Sequence, residues 1–110
     1  MVLQSNFLSE VMDILESQNY SVDLGQSSSV DYNDNAIDTT LVSKNVTTSK
    51  LGNVLTFTFE LQTGEGNGNT FNAFLLKMND IAMNKCLHID IIKNDTTIIQ
   101  YVSKIEVWVD

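Results

Sequence analysis

The chain has 110 residues, a net charge of −8, 43% hydrophobic residues, one cysteine and no proline. A chain of this length and composition makes one domain over 1–110 with a core of its own, which excludes wholesale disorder. No run of 18 apolar residues is present, so no membrane span is expected, and the lone Cys86 cannot form an internal disulfide, which fits a reducing, cytoplasmic setting.

The charge is unevenly spread along the sequence. Glu10, Asp13, Glu16, Asp23, Asp31, Asp34 and Asp38 occupy the first 43 positions without a single cation, while all six basic residues are lysines at or after Lys44. A field of that sign repels polyanions and invites a basic neighbour. With no arginine and no basic stripe, specific nucleic-acid binding is not expected, because affinity for nucleic acid rests on phosphate neutralisation.

Residues 5–18 read as an amphipathic helix. Phe7, Val11, Ile14 and Leu15 form its apolar stripe, widened by Leu8 and Met12, and Glu10, Asp13 and Glu16 face outward. Ser5 or Asn6 can cap it. Tyr20, Val22 and Leu24 alternate with polar residues as a short strand closed by Gly25. Residues 25–35 are a polar loop, and strand character resumes at Ala36 and runs to Val46 or beyond. After a turn at Leu51-Gly52-Asn53, Leu55, Phe57, Phe59 and Leu61 point one way and Val54, Thr56, Thr58 and Glu60 the other, which demands one buried face.

A Gly/Asn-rich loop spans 63–69. Phe71, Phe74, Leu75, Met78, Ile81 and Ala82 then recur at helical spacing, predicting a second helix that ends near Asn84. In the next strand Leu87, Ile89 and Ile91 are expected to take the core and leave Cys86, His88 and Asp90 outside. A turn at 93–96 leads to a last strand, in which Ile99, Tyr101, Ile105, Val107 and Val109 share a face. The order α-β-β-β-α-β-β implies an α+β fold: an antiparallel or mixed sheet of about 4–5 strands with two helices on one face.

Three patterns invite chemistry. Gly64-x-Gly66-x-Gly68 lacks the sixth-place glycine of a dinucleotide-binding turn, and Glu65 would repel a phosphate. Asp31-x-Asn33-x-Asn35 opens like a calcium loop, but Ala36 and Val42 stand where the glycine and the bidentate acid belong. Cys86, His88 and Asp90 could project from one strand face as ligands or as a thiol beside a base, yet no fourth ligand is evident. No catalytic, metal or cofactor site is therefore assigned, and an enzyme is not expected. Trp108 falls on the outward side of the last strand beside Glu106 and Lys104, where a tryptophan can anchor an interface.

The element order, the Gly/Asn loop before a Phe-rich helix and the closing strand Val102-Ser103-Lys104-Ile105-Glu106-Val107-Trp108 resemble tail terminator and tail-completion (neck) proteins of bacteriophages. The resemblance implies a virion subunit, assembled in the host cytoplasm. It would form an oligomeric ring that joins neighbouring tail or connector proteins, with DNA passing through its lumen. Glu10, Asp13, Glu16, Asp31 and Asp34 would then supply an acidic surface. The alternative is a small acidic adaptor or inhibitor that binds a basic partner.

Overall fold

The computed structural model describes residues 4–107. It contains one helix, α1 (Ser5–Glu16), and seven strands: β1 (Tyr20–Gln26), β2 (Thr39–Asn45), β3 (Thr47–Leu51), β4 (Val54–Leu61), β5 (Thr70–Met78), β6 (Ile81–Ile92) and β7 (Ile99–Glu106). They form two sheets, in the orders β2-β1-β5-β6 and β3-β4-β7, and every pairing is antiparallel. The expected single sheet with two helices on one face is thus corrected to a two-sheet sandwich with one helix.

The sheets share a core to which both contribute. Val22, Leu24, Phe71, Phe74 and Leu76 from the first sheet meet Leu55, Phe57, Phe59, Leu61 and Ile99 from the second. The ring of Tyr20 lies 4.6 Å from that of Phe57, and Phe74 lies 6.1 Å from Tyr101, so aromatic pairs bridge the sheets. The alternation read along β4 holds throughout: Leu55, Phe57, Phe59 and Leu61 are buried. Its partner β7 turns Ile99, Tyr101 and Ile105 to the same core. Val109 lies outside the described residues.

The segment expected to be the second helix is β5, a turn and the start of β6. β5 is one of the two inner strands of its sheet and is buried on both faces. Phe71, Phe74 and Leu76 enter the main core, whereas Ala73 and Leu75 pack with Ile37 on the outer face. A bulge between Phe71 and Ala73 shifts the alternation. A strand buried on both sides reads as a near-continuous apolar run, which periodicity alone does not separate from a helix. The two-residue turn Asn79-Asp80 settles the matter, since both residues have positive φ (49° and 66°), the geometry that closes a tight hairpin.

Helix α1 packs where the sequence places it but with a different face. Met12 is buried and Leu8 and Leu15 pack against the core, while Phe7 and Ile14 are exposed. Gln4 is its N-cap and no side chain caps it, so Ser5 and Asn6 do not serve as the cap. Ser17 Oγ and Gln18 Nε2 each donate to the Ile14 carbonyl at 2.8 Å and end it. The Tyr20 hydroxyl donates to Leu15 O at 2.5 Å, and Asn79 Nδ2 to Gln18 Oε1 at 2.8 Å, which fasten the helix end to β1 and to the β5–β6 turn of the same sheet.

Candidate functional site: an open sheet edge

Among the described residues β6 is the longest strand, with 12 residues, and it lies at the end of its sheet with β5 as its only strand partner. Its other edge presents main-chain donors and acceptors to solvent. Natural edges of that length are blunted by lysines, prolines or bulges. The chain has no proline and the single lysine of β6 does not guard the edge, while two bulges, opposite Phe71–Ala73 and Leu76–Lys77, interrupt β6 and divide its edge into shorter stretches. Lys85 lies opposite Leu75, which turns it to the outer face, where its Nζ donates to Asp34 Oδ2 at 2.7 Å and its side chain is only 6% exposed. Ile81, Met83, Leu87, Ile89 and Ile92 remain exposed along the same strand, Ile89 at 80%.

The expectation that Leu87, Ile89 and Ile91 take the core holds for Ile91 alone, which pairs with Phe71 and packs on the core cluster. Leu87 pairs with Ala73 and lies on the outer face. Cys86 pairs with Phe74, so it turns toward the inter-sheet side at the open flank. The residue as a whole is exposed, but the strands crowd its sulfur enough that burial raises its thiol pKa. A raised thiol is a poorer nucleophile at neutral pH. His88 Nδ1 lies 2.9 Å from Ile89 O, within its own strand. Among the described residues, no group of three or more His, Cys, Asp or Glu side chains gathers as a metal site.

Three of the seven acidic residues in the first 43 positions are paired internally. Asp13 pairs with Lys50, Asp23 with Lys77 at 3.0 Å and Asp34 with Lys85, so three of the late lysines reach back to early carboxylates. Lys85 and a backbone N–H from Asp31 hold the Asp34 carboxyl below its ordinary pKa. Asp31 accepts from Asn33 N–H at 2.9 Å and closes a local turn. Glu10 is exposed with no ion-pair partner among the described residues, and Glu16 is half-buried. Lys104 and Glu106 lie on the outward face of β7. Trp108 is outside the described residues.

An open polar cleft of about 480 Å³ lies at the far end of the first sheet, lined by Gln26, Ser28, Asp38, Thr70, Asn72 and Asp90 among others. Its groups largely satisfy one another. Asn72 exchanges two hydrogen bonds with the Ser27 backbone, Gln26 Nε2 donates to Thr70 O, and Asp38 accepts from the N–H and hydroxyl of Ser28. Little is left unpaired to hold a ligand.

Sequence reading missed the edge because it placed residues 81 and 82 in a helix and faced Leu87 and Ile89 inward. The signal was present in Ile89-Asp90-Ile91-Ile92, where apolar residues fall on both faces of a strand that has only one core to serve. No helix among the described residues is long and apolar enough to cross a membrane. No family model, curated protein or solved structure matches the chain.

Proposed function

We propose that the protein is a structural assembly subunit that joins copies of itself through the free edge of β6. The observation that carries this reading is a 12-residue outer strand with five exposed large apolar side chains and its one lysine drawn away to Asp34. Each new main-chain hydrogen bond across such an edge contributes about 0.5–1.5 kcal/mol, and covering one isoleucine adds about 1.5–3 kcal/mol. A second copy suits the edge. The strand carries one lysine and one aspartate, so two antiparallel copies bring no block of like charge together despite the net −8 of the chain.

The tail-completion reading enters here in the same terms. Its element order included a helix that is a strand, so its support now rests on assembly through sheet edges. β6 and β2 form opposite edges of one sheet. If β6 of one subunit adds to β2 of the next, the sheet continues head to tail and can close as a ring; if β6 meets β6, a two-fold dimer results. An adaptor that binds a basic partner would have to do without Asp13, Asp23 and Asp34, which pair internally, and is left with helix α1 and its exposed Glu10.

Native mass spectrometry of the whole chain tests this. The expected result is a discrete oligomer that Ile89→Lys weakens by about tenfold or more in Kd, a loss of about 1.4 kcal/mol. A strict monomer at high concentration counts against the proposal.

A further inference from the structure

Helix α1 carries more apolar surface than the sandwich uses. Leu8, Met12 and Leu15, spaced i, i+4 and i+7, are the residues that pack inward. Phe7, Val11 and Ile14 repeat the same spacing one position earlier and form an adjoining stripe, with Phe7 56% and Ile14 53% exposed and Val11 half-buried. Stripes of this spacing are how a helix seats itself in a partner's groove. Glu10 stands three residues after Phe7 and four before Ile14, which makes it a surface neighbour of both. The helix has no basic residue, and its one cationic contact among the described residues, Lys50, lies beside Asp13 and Glu16.

We propose that the Phe7–Val11–Ile14 stripe docks a basic amphipathic element of another protein, an apolar row flanked by lysine or arginine. Charge selects this occupant over two others. A second copy laid along the stripe would bring Glu10 close to its own counterpart, and like charges at a helix contact repel. An anionic lipid surface attracts helices rich in Lys and Arg, and the first 43 residues have neither. This inference is independent of β6, because it uses a different element and a partner of different chemistry.

The test measures binding of two fluorescent synthetic helical peptides to the full chain by anisotropy at low and high salt. One peptide is built of leucine and lysine, the other of leucine and glutamate with the same apolar positions. The expected result is binding of the Leu/Lys peptide alone, weakened at least tenfold by Phe7→Ser with Ile14→Ser, and left unchanged by Val102→Ser on the outer face of β7. Glu10→Lys, which spares the stripe, is expected to weaken the Leu/Lys peptide and to admit the Leu/Glu peptide. The proposal is overturned if Phe7→Ser with Ile14→Ser leaves Leu/Lys binding intact, since attraction would then be charge alone. Equal binding of both peptides overturns it too. So does a stripe variant whose only effect is on self-association, or on binding to vesicles of anionic phospholipid.

Discussion

Lys85 Nζ donates to Asp34 Oδ2 at 2.7 Å, and through this contact the edge strand β6 holds the loop that crosses the outer face of its own sheet. Beneath that loop Ile37 packs on Ala73 and Leu75, with Ala82 at their margin. The ion pair therefore does two things: it closes a small second core, and it removes the only cation of β6 from the edge.

Several carboxyls have depressed pKa values for similar reasons. Lys85 lowers Asp34, the Ser28 N–H lowers Asp38, Gln100 lowers Glu60 and Lys44 lowers Glu65. A carboxyl depressed by folding stabilises the fold above its unfolded pKa, and that contribution is lost as pH falls through the folded value. Thermal denaturation should accordingly show a melting temperature that is flat near neutrality and drops as pH passes below about 4, the ordinary carboxylate range. Asp34→Asn should lower the melting temperature at neutral pH and reduce the acid-side slope; an unchanged slope would show that the Lys85 contact does not contribute.

Gly25 sits where the pairing of β1 with β2 shifts register, and a methyl group added there would lie 1.8 Å from the Thr39 carbonyl oxygen. The obstacle is backbone, so β2 must move. Gly25→Ala should cost at least the 1–3 kcal/mol typical of overpacking, measured by urea denaturation. Gly68→Ala meets no neighbouring atom, and its cost should be the about 1–2 kcal/mol of a left-handed backbone at φ +86°.

Lys93 is fully buried and pairs with no carboxylate among the described residues. Its Nζ donates to Asn67 Oδ1 at 2.9 Å and to Asn94 O at 3.3 Å, and its backbone bonds with Gly68 and Asn69. The amine thus clamps the glycine-rich connection between β4 and β5. Lys93→Met should destabilise by about 1–3 kcal/mol, because Asn67 and Asn94 lose a buried donor, and proteolysis should quicken within residues 62–69. A more stable variant would mean that the buried charge outweighs its hydrogen bonds.

Single elements were legible in the sequence, but the two-sheet architecture was not. The strict alternation from Val54 to Leu61 fixed one buried face, and the helix, the Gly52-Asn53 turn and the closing strand were all placed within a few residues. β5 was not, because Phe74-Leu75-Leu76 is apolar on both faces and hid its period of two. Asn79-Asp80 was the available warning, since Asn and Asp favour the positive φ of a hairpin turn. α1 was read with the wrong stripe inward because its apolar arc runs through both Phe7-Val11-Ile14 and Leu8-Met12-Leu15. The ion pairs that join the early carboxylates to late lysines were not legible either. Asp13–Lys50, Asp23–Lys77 and Asp34–Lys85 are contacts made by topology, and no local pattern announces them.

Hydrogen exchange of the backbone amides of β6, followed as protein concentration rises, tests the proposed assembly most directly. Amides from Ile81 to Ile92 that point to the open edge should gain protection with concentration in the native chain and lose that gain in Ile89→Lys, while α1 stays unchanged. An oligomer whose β6 amides exchange as fast as in the monomer would contradict the account.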